Sequence, residues 1–365
     1  MRSSVHRLFT AAASIALAAC GKGEIEPEPA PEKPVREISE VAAADAFGTP
    51  GETVNAVAFW SHPSVNFESL LVAGGDKGLT AYNIESGEKI SAAAQGPVDA
   101  LSVFYSGSGA QARAYVIAGT NDRYEFYSVD NVTRALSPAP LANDAMRAGA
   151  FCAGRVGGAI SLFEISKEGI AERRIETGEN GVTLGNPQKI APLNLRACHV
   201  DERAGDIVVI SDDGALLRLD PKSGETFGLA FADAPPTSSA LVLTTAPDQV
   251  QGGALALLDG ETGVVSLFDL VDGHALGAVR VKATFDLEAV SSARAIGAGY
   301  GNYGGVYRDG ALAIVTADGG APIRLVPWNG VLGAISQPLG ETVDPRAPQA
   351  ADEDAPVIKI DLIEP

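Results

Sequence analysis

The chain has 365 residues, of which 46% are apolar and 20% are charged, and its formal net charge is −19. The apolar fraction is too high for an intrinsically disordered protein, and the 41 glycines follow no collagen-like period. A chain this acidic repels nucleic acid and anionic lipid headgroups, so we expect no nucleic-acid partner.

The first 19 residues predict a secretory signal. A basic start is followed by an apolar run, residues 8–19, that is too short to span a bilayer. The run ends in Leu17-Ala18-Ala19-Cys20, which is similar to the lipobox of bacterial lipoproteins; the alternative is an ordinary secretory signal that contains a cysteine. The resemblance implies that Cys20 is acylated and anchors the protein in a membrane. Gly21, where an aspartate would imply retention in the inner membrane, implies the outer membrane facing the periplasm.

Residues 20–50 have the composition of a tether. Proline and glutamate alternate through residues 26–34, a pattern that disfavours both helix and core, so we expect an extended, solvated linker. Only residues 35–46 leave room for a short helix.

Two cysteines remain after the signal is removed, Cys152 and Cys198. Both lie in apolar, strand-like stretches, which favours buried thiols, although an oxidising periplasm would also allow them to pair. Two cysteines without a CxxC motif do not predict a zinc site.

From residue 54 onward, apolar runs of strand length are broken by Gly, Asp and Asn, and no segment keeps a helical period. A second pattern recurs: a strand bearing an aromatic residue or leucine, followed by an acidic turn. Its copies begin at Gly78, Tyr124, Ala159, Ala215 and Gly263. Their spacing suits four-stranded propeller blades, so residues 51–338 predict an all-β, six-bladed β-propeller. A pair of β-sandwiches is the alternative, but it leaves the recurring spacing unexplained.

Three segments carry a resemblance to a known family. They are Ala58-Phe59-Trp60-Ser61-His62-Pro63 with the strands that follow it, residues 199–213, and Ile323-Arg324-Leu325-Val326-Pro327-Trp328. Together they resemble the β-propeller phytases. That resemblance implies six blades, bound calcium, and hydrolysis of phosphomonoesters of myo-inositol hexakisphosphate (phytate) or another phosphorylated small molecule.

The resemblance also implies site residues. Three basic side chains fall near the phosphate-binding positions of the family, Lys77, Arg123 and Arg155. Asp212 and Asp286 fall where the family has calcium-binding or catalytic carboxylates, and Asp259 falls where the family often has glutamine; all three are candidate metal ligands. Calcium prefers such oxygen ligands and would neutralise a phosphorylated substrate.

Other family carboxylates are replaced in this chain. Asn55-Ala56 and Ser238-Ser239 stand where the family has acidic pairs, and Arg196 replaces a central glutamate. An arginine near calcium would repel the metal, but it could hold an anion directly. Two functions therefore stay open, a calcium-dependent phytase-like hydrolase and a non-catalytic envelope propeller that binds a ligand or a protein.

The acidic C-terminal segment, residues 339–365, follows the propeller. Residues 357–362 alternate between apolar and polar side chains, which predicts either a strand that closes the propeller or a frayed tail.

Overall fold

The computed structural model describes residues 37–347, apart from 94–95, 108–110, 144, 179–180, 247–248, 319 and 339. The signal, the lipidation site Cys20 and the alternating segment 357–362 lie outside the described residues. Six sheets, which we number as blades 1 to 6 in chain order, surround a central channel; all are antiparallel except for one added outer strand, so the predicted six-bladed, all-β propeller is confirmed. No helix in the described part of the chain has the length and hydropathy that a membrane crossing needs.

Each blade begins with an inner strand that borders the channel. These strands are β3 (Val54–Trp60), β7 (Val98–Ser106), β11 (Phe151–Val156), β16 (Leu195–Asp201), β20 (Ser238–Ala246) and β24 (Ala293–Gly299). The second strands are β4 (Leu70–Gly75), β8 (Arg113–Thr120), β12 (Ala159–Ser166), β17 (Asp206–Ser211), β21 (Gln249–Asp259) and β25 (Ala311–Thr316).

The third strands continue each sheet outward. They are β5 (Gly78–Asn83), β9 (Arg123–Val129), β13 (Gly169–Gly178), β18 (Ala215–Leu219), β22 (Val264–Asp269) and β26 (Ile323–Pro327). The outer strands are β6 (Lys89–Ala93), β10 (Leu136–Pro138), β14 (Gly181–Leu184) with β15 (Gln188–Ala191), β19 (Thr226–Phe231) and β23 (Ala275–Lys282). One short helix, α1 (Trp328–Ala334), follows β26.

Burial follows strand position. Strands β4 and β25 are buried at every residue because both faces of their sheets pack against a neighbouring blade. Outer strand β19 is mostly exposed. Burial is therefore highest at the second strands and falls toward the outer strands. For this reason, the continuous apolar runs in the sequence correspond to second strands.

The repeat is more regular than the sequence pattern indicated. The copy assigned to Ala159 is a second strand, β12, whereas the third strand of its blade begins at Gly169. Gly169 lies 45 residues after Tyr124 and 46 before Ala215, so the third strands keep nearly constant spacing. Two apolar strands in succession within blade 3 caused the misassignment.

Residues assigned to the tether belong to the propeller. Strand β1 (Ile38–Ala42) pairs parallel with β23 on the outside of blade 5, and β2 (Asp45–Phe47) pairs with β26 as the outer strand of blade 6. The short helix that residues 35–46 leave room for is therefore not formed by the described residues 37–46. The outer edges of two sheets supply hydrogen-bond partners that local propensity does not report. The N-terminal segment, by joining the last blade, closes the ring.

The recurring acidic turns are structural caps. In the turn after β18, Asp220 Oδ1 accepts the backbone N–H of Lys222 at 2.8 Å, and Gly224 takes a left-handed conformation at φ +73°. Asn83 and Asp269 make the same kind of turn after β5 and β22. The repeated Asp or Asn thus satisfies turn N–H groups, which is the usual role of these residues in Asx turns.

Cys152 on β11 and Cys198 on β16 form a disulfide, with their Cα atoms 5.6 Å apart. The expectation of two buried thiols is therefore wrong. The two residues lie 46 positions apart in sequence, and only the packing of blade 3 against blade 4 brings their strands together. The bond joins neighbouring inner strands across that blade interface.

Replacing both cysteines with serine should lower the free energy of unfolding by about 2–4 kcal/mol, because the bond restricts the unfolded chain. Urea denaturation with and without dithiothreitol measures this. The wild type should lose stability on reduction, and the double variant should not respond to the reductant. Equal midpoints for all four samples would contradict a stabilising role.

Candidate functional site

The central channel is the candidate site. All six inner strands line it, and its volume is about 520 Å³, enough for a small organic molecule. Alanine is the commonest residue of its wall, and Ser102, Ser238 and Ser239 contribute hydroxyl groups.

Four inner strands carry a β-bulge near their first residue. The pairing register shifts around Asn55 on β3, Asp99 on β7, Arg196 on β16 and Arg294 on β24. A bulge inserts an unpaired residue and re-aims its side chain, and all four of these residues line the channel. Arg147, which precedes β11, takes the corresponding place in blade 3. We call the end of the channel formed by these five residues the arginine mouth.

The arginine mouth is positive in a strongly negative protein. Among the described residues that line the channel, the fully charged side chains are Arg147, Arg196, Arg294 and Asp99. Three positive charges therefore face one negative charge, whereas the whole chain carries −19. A concave site with low-dielectric walls concentrates such a field and attracts anions.

Arg147 is the most firmly held of the three arginines. Its guanidinium forms an ion pair with Asp99, its Nε donates to the carbonyl of Gly149 at 2.7 Å, and its Cζ lies 5.5 Å from the ring centre of Phe151. A Cβ on Gly119 would lie 2.8 Å from a guanidinium nitrogen of Arg147, so a larger residue there would displace the guanidinium.

The other two arginines are exposed. Arg196 donates to the carbonyl of Pro236 at 2.9 Å, which holds its guanidinium toward blade 5. A guanidinium has five N–H donors, so Arg196 keeps donors for a ligand after this bond. Arg294 projects from β24 on the other side of blade 5.

The channel wall below the mouth contains a polar pair. His199 Nε2 on β16 lies 2.7 Å from Ser239 Oγ on β20. Both side chains are half-buried and line the channel. Desolvation lowers the pKa of His199 to about 4, so its imidazole is neutral at physiological pH.

Residues 341–347 cross the opposite end of the channel; we call them the C-terminal strap. Strand β27 (Glu341–Thr342) pairs with the end of β20, and the guanidinium of Arg346 donates to the carbonyl of His62 at 2.7 Å. Pro345 lies in the channel lining with Tyr300 and Tyr303. The strap therefore runs from blade 5 to blade 1 and narrows this end.

Glu202 lies beside the strap end, in the turn after β16. Its Oε1 accepts the backbone N–H of Arg155 at 2.9 Å. Burial raises the pKa of Glu202 to about 7, and the hydrogen bond and charge of Arg155 only partly oppose that rise. Its carboxyl group therefore titrates near neutral pH in the folded protein.

The predicted basic residues divide between the two ends. Lys77 lies exposed in the β4–β5 turn, next to Asp76, whose Oδ1 accepts from the Asn55 amide at 3.3 Å. Arg123 begins β9 and lines a separate, shallow groove of about 730 Å³ on blade 2. Both turns adjoin the arginine mouth because second strands end where inner strands begin. Arg155 lies at the strap end, where its guanidinium donates to the carbonyls of Tyr105 and Gly107.

The predicted calcium ligands do not converge. Asp212, Asp259 and Asp286 are exposed and follow β17, end β21 and follow β23, respectively. Asp259 accepts hydrogen bonds from Glu261 and Thr262 in its own turn. Among the described residues, only Asp269, Asp272 and His274 place three ligand atoms within 4.8 Å of one another, and they form an exposed Asx turn. The three predicted calcium ligands therefore form no common cluster among the described residues.

From the sequence, Asn55 and Arg196 were identified only as residues that replace carboxylates of the phytase family. Asp99, Arg147 and Arg294 were not identified. A short repeat marks all five positions, because each is followed by alanine. The tripeptides are Val54-Asn55-Ala56, Val98-Asp99-Ala100, Met146-Arg147-Ala148, Leu195-Arg196-Ala197 and Ala293-Arg294-Ala295.

No family model matches this chain, and no curated protein matches it either. The chain is similar in fold to a structural genomics protein of unknown function from Bacteroides thetaiotaomicron VPI-5482, with 13% identity and a TM-score of 0.46 over 79% of this chain and 74% of that one. It is also similar to U3-55K, with 11% identity, a TM-score of 0.44 and coverage of 76% and 79%. A chain in a mitotic checkpoint complex gives 13% identity, a TM-score of 0.43 and coverage of 82% of each chain. Similarities at this level assign no activity.

The free energy of unfolding of the Glu202→Gln variant should increase, relative to that of the wild type, as pH rises. The ordinary glutamate pKa is 4.5 and the folded value is about 7, so the folded protein keeps a proton that the unfolded chain releases between these values. In the wild type, the protonated Glu202 carboxyl contributes its full share of the free energy of unfolding below about pH 4.5. This contribution is lost as pH rises through 7. Glutamine keeps an acceptor for Arg155 and cannot ionise.

Urea unfolding at about pH 5 and about pH 8 measures the difference. The exposed Glu225→Gln is the matched control and should show no pH-dependent gain. A gain for Glu202→Gln that is the same at both pH values would contradict the raised pKa.

Proposed function

We propose that this protein is a non-catalytic propeller that binds a small anionic ligand at the arginine mouth. The observation that carries the proposal is the reversal of charge: three arginines and one aspartate line the channel of a chain with a net charge of −19. Arginine donors are the usual partners of carboxylate and phosphate groups. Lys77 and Arg123 lie on turns beside the mouth, but each directly follows an aspartate, Asp76 or Asp122, so these turns add no net positive charge.

The scattered carboxylates favour binding over hydrolysis. Calcium-assisted phosphoester hydrolysis needs several oxygen ligands around the metal and an activated water. Arg196 and Arg294 occupy positions on the channel where they would repel a cation and attract an anion directly. The proposal therefore does not require calcium, and phytate is a test ligand in it rather than a substrate.

The proposal places this propeller in the cell envelope, anchored by a lipid on Cys20 and facing the periplasm. It rests on the lipobox-like sequence at residues 17–20 and on the acidic, proline-rich segment that follows.

The double variant Arg196→Gln with Arg294→Gln should bind phytate at least tenfold more weakly than the wild type, because each charged hydrogen bond contributes about 1.5–3 kcal/mol. Isothermal titration calorimetry of the mature protein, without added calcium, measures this. Arg113→Gln, an exposed arginine at the strap end of β8, is the charge-matched control and should keep wild-type affinity. Rising salt should weaken wild-type binding.

Two results would overturn this function. One is equal affinity in the wild type and the double variant. The other is release of inorganic phosphate from phytate by the wild type with added calcium, lost with a chelator, which would restore the hydrolase interpretation.

Cys20→Ala should move the protein from the membrane fraction to the soluble fraction after cell lysis, because a lipid-modified cysteine can no longer form. Fractionation and labelling with a radioactive fatty acid measure this. Cys152→Ser keeps Cys20 and should stay with the membrane. Membrane association of Cys20→Ala would contradict lipid anchoring.

A further inference from the structure

The channel wall beneath the arginine mouth presents a second recognition element. His199 and Ser239 come from neighbouring blades, and a single 2.7 Å contact joins Nε2 to Oγ. This contact uses one polar atom of each side chain. The hydroxyl retains further hydrogen-bonding capacity, and the imidazole retains Nδ1.

The pair can both donate and accept. If Nε2 carries the proton, it donates to Ser239, whose hydroxyl hydrogen is then free to point into the channel. If Ser239 donates to Nε2, the serine oxygen can accept from a ligand and Nδ1 carries the imidazole proton. A ligand group that also donates and accepts, such as a hydroxyl, fits either arrangement.

A second charged group fits this position poorly. The imidazole is neutral at physiological pH, since desolvation lowers the pKa of His199 to about 4. The surrounding wall includes Ala197, Ala240 and the Cys152–Cys198 disulfide, none of which compensates a charge. Desolvating a carboxylate there, without a cationic partner, is costly.

The spacing between the two elements is set by one strand. Arg196 and His199 lie three residues apart on β16. A strand rises about 3.3 Å per residue, and the bulge at Arg196 shortens this path, so the separation is roughly 7–10 Å along the channel. A chain of about five carbon atoms between an anionic group and a hydroxyl would span it.

We propose that the ligand of the arginine mouth is a hydroxylated anion, whose charged group binds the arginines and whose uncharged hydroxyl binds Ser239 and His199. This inference rests on the proposed function, since it needs an anion at the mouth. It adds selectivity: among anions of similar length, the channel prefers one that ends in a hydroxyl to one that ends in a methyl group or a second carboxylate.

Three probes of similar length test the preference: 6-hydroxyhexanoate, hexanoate and adipate. One hydrogen bond to a neutral partner is worth about a threefold to tenfold difference in affinity, so 6-hydroxyhexanoate should bind that much more tightly than hexanoate. Adipate should bind no better than hexanoate. NMR titration of protein labelled with nitrogen-15 in histidine measures the affinities, and the ring signals of His199 should shift with the hydroxylated probe.

Variants separate this inference from the proposed function. Ser239→Ala should bind 6-hydroxyhexanoate and hexanoate equally, while Ser137→Ala, on the exposed outer strand β10, should keep the preference. His199→Asn tests the same contact if Ser239→Ala does not fold. Arg196→Gln should weaken all three probes.

Each outcome decides between the claims. Equal binding of the three probes by the wild type, weakened by Arg196→Gln, would overturn the hydroxyl preference and leave anion binding intact. If the Ser239→Ala variant still binds 6-hydroxyhexanoate more tightly than hexanoate, Ser239 and His199 do not form the hydroxyl-binding site. Failure of every probe to bind would overturn the hydroxyl preference, whereas the phytate titration decides separately whether the mouth binds anions.

Discussion

Contact between neighbouring inner strands is the constraint on which the rest of the structure depends. Each sheet is stable only when both of its faces are covered, and in a propeller each blade covers the next. At the channel these contacts are polar or covalent: the Cys152–Cys198 disulfide joins blades 3 and 4, and His199 with Ser239 joins blades 4 and 5. Ser102 accepts the N–H of Ala153 between blades 2 and 3. These links hold the strands that form the site in a common register.

At the interface between blade 6 and blade 1, the two backbones approach each other closely. A Cβ on Gly297 of blade 6 would lie 2.7 Å from the carbonyl oxygen of Val57 in blade 1, so backbones meet there without side chains between them. Strand β2 then completes blade 6 from the N-terminal side. Closure thus joins residues near the two ends of the described chain, as is common in propellers, and it leaves no open sheet at the seam.

The same geometry separates the acidic residues of the turns from the arginines of the channel. Most aspartates in the repeat, such as Asp220 and Asp259, bind the N–H groups of their own turns and stabilise the loops between strands. The bulged positions of the inner strands face the channel, and there arginine predominates over aspartate. The acidic charge of the chain therefore lies mainly outside the channel, while the arginine mouth carries the opposite sign. This separation is the physical basis for proposing an anionic ligand.

The sequence by itself determined the fold class, because strand-length apolar runs, turn residues and a recurring spacing are local properties that only radial blades combine. Only the tertiary structure decided which charged residues share a site. Lys77 and Arg155 both carry positive charge, yet the path of the strands puts them at opposite ends of the channel. The disulfide and the strands of residues 38–47 were likewise decided by partners distant in sequence, which local propensity cannot report.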